Sequence, residues 1–484
     1  MTDLAARGLP VAVIGAGPVG LAAAAHLLAR GLEPLVLEAG PEAGHAVRAW
    51  GHVRMFSPWR FNTDAAARAL LEPAGWRPPP EGEHPTGAEL HARYLAPLAA
   101  HPAIAARLRL NARVLGVARR HHDRMRDGRR AAAPFLLQVA GADGAAEEIL
   151  AAAVIDCSGT WFTPSPAGAH GLPAPGEAAA ARDGLLAYGI PDVLGAARAH
   201  YAGRTTLVLG GGHSAMNAVL DLVRLAETAP GTRVLWAFRR PLAAVNFGGG
   251  AADALAARGE LGEHARMLVE SGAVAALAPF LVERIAREDD GALRVTGAAE
   301  GGAARTVRAE RMIVATGFRP DLAFLGELRL TLDPSLQTTP ALAPLIDPNL
   351  HACGTVRPHG AAALAHPEEP GFFAAGMKSY GRAPTFLLAT GHEQVRSIAA
   401  HLAGDAAAAA AVMLELPETG VCSATRLPDS VAASACCGPA PAAAASRAPA
   451  REEPARVAAS LPSGCCGPAR RAEPAPARAG GCCG

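Results

Sequence analysis

No run of apolar residues in the sequence approaches the roughly 20 needed to cross a bilayer. The sequence also lacks any surplus of one charge: 45 Lys and Arg face 44 Asp and Glu, for a formal net charge of +1. The first absence argues against a helical membrane span. The second removes the basic excess on which nucleic-acid binding depends. The opening residues MTDLAARGLP lead directly into a strand-like run, without a charged start, apolar middle and cleavage site. With unpaired-looking cysteines and no export signal, the expected location is a reducing cytoplasm. Also missing are a Ser-His-Asp set, an H-E-x-x-H motif and zinc-ligand spacing in the first 400 or so residues, so hydrolysis finds no support.

Half of the 484 residues are hydrophobic, enough for two or three domains with their own cores. Up to about Gly404, strand-like apolar runs alternate with helix-like ones, the pattern of an α/β fold. From Thr419 onward Ala, Pro, Gly, Ser and Arg dominate and aromatic residues vanish. Such a composition cannot bury enough apolar surface to offset the entropy of ordering, so residues 419–484 read as a disordered tail. The Ala-rich stretch before it, 405–418, reads as a closing helix.

VAVIGAGPVGLAAAAHLLARGLEPLVLEAG (Val11 to Gly40) carries the strongest signal. A buried strand ends in Gly15-x-Gly17-x-x-Gly20, a helix follows, and a second strand ends in Glu38. Gly15 permits the tight turn, Gly17 lets backbone approach a pyrophosphate, and Gly20 lets helix and strand pack closely. The helix N-terminus then offers unpaired N–H groups to the phosphates. Glu38 is placed to accept hydrogen bonds from ribose hydroxyls. A second copy of the plan, TTLVLGGGHSAMNAVLDLVRLAETAPGTRVLWAFRRP (Thr205 to Pro241), lies about 195 residues later. There Gly210-x-Gly212 ends the strand, Ser214 opens the helix, and the second strand runs into Arg239 and Arg240 with no acid at the Glu38-like place. A guanidinium pair attracts a 2′-phosphate that a carboxylate would repel, which favours NADPH over NADH.

Two dinucleotide motifs in one chain resemble the flavoprotein superfamily with two dinucleotide-binding domains. The resemblance covers residues 8–403 and implies FAD on the first site and NADPH on the second. It implies an FAD domain in two parts, 8–160 and 311–404, around an inserted NAD(P)H domain at 161–310. AAAVIDCSGTW (Ala151 to Trp161) and RMIVATGFRPD (Arg311 to Asp321) resemble the two crossings between those domains. EPGFFAAGMKSYGRAPTFLLATGHEQVRSIAAHL (Glu369 to Leu402) resembles the segment laid along the flavin, with Met377 where many relatives carry Asp. By this resemblance Arg54, Gly317 and Gly376 join the cofactor-binding positions. WGHVRMFSPWRFNTD (Trp50 to Asp64), PTGAELHARYLAPLAAH (Pro85 to His101) and GGGHSA are similar to bacterial flavin-containing monooxygenases. The first of these implies His52 and Arg54 as candidates for contact with substrate or pyrophosphate, and Lys378 and Tyr380 are candidates of the same kind. The fingerprint F-x-G-x-x-x-H of that branch is absent before Gly210. The redox C-x-x-C or C-x4-C of thioredoxin-reductase-like members is absent too; Cys157 and Cys353 stand alone, and Cys157 reads as a small buried hydrophobe.

The tail holds three Cys-Cys-Gly pairs: Cys436–Cys437, Cys465–Cys466 and Cys482–Cys483. Neighbouring Cα atoms lie about 3.8 Å apart, too close for an ordinary disulfide, which wants about 4.4–6.8 Å. Adjacent thiolates instead clamp a soft ion, and a third thiol from another pair completes a three-sulfur site for trivalent arsenic. Alternatively they carry electrons by thiol–disulfide exchange. Mercuric reductases of the same superfamily carry a similar C-terminal pair, and accessory flavoproteins of arsenic-resistance systems resemble the core. The expectation is an FAD- and NADPH-dependent, monooxygenase-like oxidoreductase acting on a small molecule, with arsenite or another soft metal on the tail. Two alternatives stand beside it: a reductase whose redox centre is a tail pair, and a metalloid buffer without turnover.

Overall fold

The computed structural model describes residues 8–242, 247–248, 250, 253, 255–350, 359–384 and 386–414. Cys353, the tail and its three cysteine pairs lie outside these residues.

The chain builds one architecture twice. The first strands are β1 (Val11–Ile14), β2 (Pro34–Leu37) and β3 (Leu108–Arg109). An antiparallel meander follows, β4 (Arg113–Arg119), β5 (Phe135–Ala140) and β6 (Ala146–Ala151), and β7 (Ala153–Asp156) returns to the sheet. The second half opens with β8 (Leu186–Tyr188), β9 (Thr205–Leu209), β10 (Arg233–Ala237) and β11 (Ala275–Leu277). Its meander is β12 (Leu281–Arg287), β13 (Leu293–Ala298) and β14 (Ala304–Ala309), and β15 (Arg311–Val314) is its return strand. The last strand, β16 (Phe372–Ala374), goes back to the first sheet.

The two parallel sheets run β16-β7-β1-β2-β3 and β8-β15-β9-β10-β11, position for position the same order. In each, the glycine-ended strand is central: β1 lies between β2 and β7, and β9 between β10 and β15. All four residues of β1 are buried, as a strand covered on both faces must be. Helix Pro18–Ala29 is nearly all apolar, and eight of its residues are buried. Its alanines allow a close crossing with helix Leu388–Leu402, where a Cβ on Gly391 would stand 2.6 Å from Val19 Cγ2.

The two connectors between the sheets run side by side. Ser165 N donates to Gly317 O at 2.9 Å, Arg319 N donates to Thr163 O at 2.9 Å, and Trp161 packs on Phe318 with ring centroids 5.0 Å apart. Two sequence expectations need correction. Arg311–Val314 pairs with β8 and β9, so it belongs to the second sheet, and the return to the first domain comes after Val314 rather than at Arg311. A strand's sheet is chosen by its neighbours, which local pattern does not reveal. The closing helix is also shorter than 405–418: it spans Ala406–Ala410. Asp405 caps its start by accepting from Ala408 N at 2.9 Å, and Arg396 ends it by donating to the carbonyls of Ala408 and Ala411.

Candidate functional site

The first glycine loop is shaped by what Gly15 and Gly20 avoid and by what Gly17 leaves open. Gly15 sits at φ +95°, and a Cβ there would lie 2.9 Å from Cys157 O. A Cβ on Gly20 would lie 1.9 Å from Gly15 O. Gly17 is the N-cap of helix Pro18–Ala29, has no side-chain capping partner, and faces open space with no atom within 4 Å of a Cβ position. The open cradle and the uncapped helix start together suit an anionic ligand at this point. Glu38 closes the loop from β2: its Oε2 accepts from Ala16 N at 2.7 Å and its Oε1 from Gly40 N at 2.8 Å. Each oxygen keeps a second lone pair for a hydroxyl donor. Farther along the sheet edge, Glu42, His91, Ala96, Ala99 and Leu108 line an open groove of about 360 Å³.

The second loop follows the same rules. Gly210 lies at φ +137°, and a Cβ there would meet Ala315 O at 2.2 Å. The indole of buried Trp236 donates to Gly210 O at 2.8 Å and holds the loop from below. Gly212 caps helix His213–Thr228 without a side-chain partner, and Ser214 is the helix's second residue. Arg239 and Arg240, just past β10, are both exposed. Sequence reading passed over His213. Its ring lies 5.5 Å from the ring of Phe56, so the Trp50–Asn62 segment of the first domain rests on the start of helix His213–Thr228. Burial, aided by the nearby Arg258 guanidinium, pushes the His213 pKa down to about 4. Arg258 itself is buried and makes two hydrogen bonds to Asp253, at 2.8 and 2.7 Å.

His366 is likewise pushed down to about 4 by burial. Both imidazoles are neutral in the folded state and protonate near pH 6.5 once unfolded. Stability is therefore full above pH 6.5 and is lost as pH falls from there toward 4. By linkage the loss is on the order of 1–2 kcal/mol per histidine at pH 5. Urea midpoints measured between pH 7.5 and 5 should fall steadily, and His366→Gln should flatten the fall; an unchanged midpoint contradicts this.

The third wall comes from the end of β16. Gly376, at φ +72°, donates through its N–H to Gln394 Oε1 at 2.8 Å, and a Cβ there would lie 3.2 Å from Val19 Cγ2. The structure thus brings Gly376 onto the helix that Gly17 opens. Met377 is half-buried in the same turn. Lys378 and Tyr380 correct the expectation of ligand contact, because both are buried. Lys378 is paired with Asp156, and Tyr380 packs against His359 and Phe386. Arg54 is exposed and donates to His84 O at 2.6 Å, which ties it to the 81–87 segment; His52 beside it is exposed. Gly317 lies in the connector at φ +96°, away from both glycine loops in sequence and paired with Ser165. Cys157 is buried, and that burial, with the Asp156 carboxylate beside it, raises its thiol pKa well above the usual value. A thiol so held is unreactive. Among the described residues no group of three or more His, Cys, Asp and Glu is placed to hold a metal ion, and no helix is long and apolar enough to cross a membrane.

Residues 10–77 match the family of FAD dependent oxidoreductases (DAO). No curated protein matches the sequence. Among solved structures, a bacillithiol disulfide reductase from Bacillus cereus is 21% identical, over 82% of this chain and 99% of its own, with a TM-score of 0.59. A flavin-containing monooxygenase from Stenotrophomonas maltophilia is also 21% identical, over 82% and 98%, with a TM-score of 0.51. The cadaverine monooxygenase of desferrioxamine biosynthesis from Erwinia amylovora, solved with FAD bound, is 14% identical over 82% and 94%, with a TM-score of 0.55. These likenesses are of fold. The fold is one that a disulfide reductase and monooxygenases also have; with its glycine cradle inside the stretch that matches FAD dependent oxidoreductases, the protein is an oxidoreductase that uses FAD.

Proposed function

We propose that the protein is a cytoplasmic, NADPH-dependent flavin oxidoreductase of the monooxygenase-like kind. We further propose that it acts in arsenic or soft-metal detoxification, with the tail thiols collecting the metalloid. The observation that carries the first part is the doubled cradle: two loops of the same construction, the first closed by Glu38 and the second running into exposed Arg239 and Arg240. On this reading Gly15, Gly17, Gly20, Glu38 and Gly376 hold FAD, and Gly210, Gly212, Ser214, Arg239 and Arg240 hold NADPH. When bound, FAD supplies hydride uptake from the nicotinamide and passes two electrons to oxygen or another acceptor. The chain's share is placement: the uncapped helix starts receive the pyrophosphates, and the paired connectors hold the two domains in register.

Among the described residues the only cysteine is buried Cys157, which supports an acceptor other than a core dithiol. The metalloid part rests on the sequence of the tail, Cys436–Cys437, Cys465–Cys466 and Cys482–Cys483. NADPH oxidation by the full-length, FAD-loaded protein, with oxygen and peroxide followed, tests both parts. Consumption stimulated by arsenite without matching peroxide supports coupled chemistry on the metalloid; unchanged turnover removes arsenite from the reading. Serine at all six paired cysteines should leave flavin reduction and oxygen consumption intact, and abolished NADPH turnover with the acceptor would favour the reductase alternative. Arg239→Ala with Arg240→Ala should cut the NADPH/NADH ratio of kcat/KM by about 10-fold or more, the worth of one or two charge-assisted hydrogen bonds. An unchanged ratio removes the pair from the 2′-phosphate site.

A further inference from the structure

Lys378 is the single lysine of the sequence; every other residue in its Lys and Arg total is arginine. In a chain whose default cation is guanidinium, an ammonium at one place asks what arginine could not do there. The side chain is fully buried. Its Nζ lies 2.6 Å from Asp156 Oδ2 and 2.9 Å from Ser158 Oγ, and 4.3 Å from the centroid of the Phe324 ring. An ammonium has three donors, and here they meet a carboxylate, a hydroxyl and a ring face. A guanidinium is planar, longer and carries five donors, which this closed space does not match. Lys378 is thus satisfied within the protein and offers nothing directly to a ligand.

Its effect passes outward through Ser158. The Ser158 hydroxyl donates to Asp156 Oδ1 at 2.7 Å and accepts from Lys378, while Ser158 N also donates to Asp156 Oδ1 at 3.0 Å. The one hydroxyl hydrogen is therefore committed, and what Ser158 has left is a lone pair. Ser158 is exposed, and its Cα would be 3.0 Å from a Cβ on Gly15, so this lone pair sits beside the first glycine loop. We propose that Ser158 accepts a hydrogen bond from a sugar-type hydroxyl of the bound FAD, and that Lys378 and Asp156 are the positioning residues that make it an acceptor. The proposal rests on the first loop being the FAD site. A phosphate, which has only acceptors to offer at neutral pH, is not what this group selects; a hydroxyl of the ribityl chain or of the adenosine ribose is.

The test uses the full-length chain stripped of flavin and titrated with FAD and with FAD analogues lacking one ribityl or one ribose hydroxyl. The wild type should bind one analogue about 3- to 10-fold more weakly than FAD, the worth of one neutral hydrogen bond. Ribose hydroxyls also fall to Glu38, so the hydroxyl held by Ser158 is the one whose penalty Ser158→Ala removes. Ser158→Ala should bind FAD and that analogue alike. Lys378→Met alone strands the Asp156 carboxylate without its cation and endangers the fold, so the pair is removed together as Lys378→Met with Asp156→Leu, which takes away the acceptor of the Ser158 hydroxyl hydrogen. That variant should also lose the discrimination while keeping a cooperative melting transition. The lone lysine provides a second readout: selective ¹⁵Nζ labelling yields one side-chain signal, expected to exchange slowly with solvent and to shift when FAD binds. A Ser158→Ala variant that keeps every penalty of the wild type, or a wild type that penalises no analogue, overturns the proposal. A wild type that takes up no FAD at all instead overturns the cofactor reading.

Discussion

Alanine at Gly17 should leave the flavin-free protein as stable as wild type and weaken FAD binding about 10- to 100-fold. The two effects separate because a Cβ at Gly17 would touch no protein atom within 4 Å, and its backbone already has φ −74°. Nothing in the fold resists the methyl group; it stands only in the space open to a pyrophosphate. Overfilling a close contact costs about 1–3 kcal/mol, which is the affinity range given. Gly20→Ala is the contrasting variant. Its Cβ would fall 1.9 Å from Gly15 O, so helix Pro18–Ala29 must shift off β1 before any ligand arrives. That variant should lose stability as well as FAD. Flavin titration beside urea denaturation distinguishes the two, and a stability loss in Gly17→Ala equal to that in Gly20→Ala would contradict the assignment of Gly17 to the ligand.

Glu369→Ala should destabilise the protein by about 3–5 kcal/mol, the cost of stranding buried charges. The Glu369 carboxylate has no solvent exposure. Its Oε1 accepts from Arg119 Nε at 2.6 Å and its Oε2 from Arg130 Nη1 at 2.7 Å, while Arg329 N donates to Oε2 at 2.9 Å. Burial opposes ionisation here, yet the Arg329 amide and the two guanidiniums outweigh it and hold the pKa below the usual carboxylate range. Arg119 comes from β4, Arg130 from the loop before β5, and Glu369 from the approach to β16. The cluster therefore ties the first meander to β16, the strand that leads into Gly376. Glu369→Gln keeps the shape but not the charge and should lose most of the same stability. A loss under about 1 kcal/mol in both variants would show that water reaches the guanidiniums once the carboxylate is gone.

Much of the site was legible in the chain. Gly15, Gly17 and Gly20 stand in a fixed spacing between an apolar strand and an apolar helix; Gly15 and Gly20 answer local steric demands, and Gly17 between them faces open space. Gly210 and Gly212 repeat it. Lys378, Ser158 and Asp156 were not legible in the same way. Asp156 and Ser158 are two residues apart, but Lys378 comes 220 residues later, at the end of a different strand, and only sheet order places those ends together. His213 was in plain view inside GGGHSA, yet its buried surroundings, Phe56 on one side and Arg258 on another, come from distant segments.

By itself the sequence determined the two glycine loops, the strand–helix–strand units around them and the likeness to two-domain flavoproteins, because glycine spacing and apolar periodicity are short-range demands of backbone and core. Tertiary structure alone decided that Arg311–Val314 joins the second sheet, that Lys378 and Tyr380 face inward, and that Ser158 presents an acceptor beside Gly15. Those outcomes depend on which strand ends adjoin and on how few donors and acceptors remain once buried charges are paired, conditions that no single stretch of chain contains.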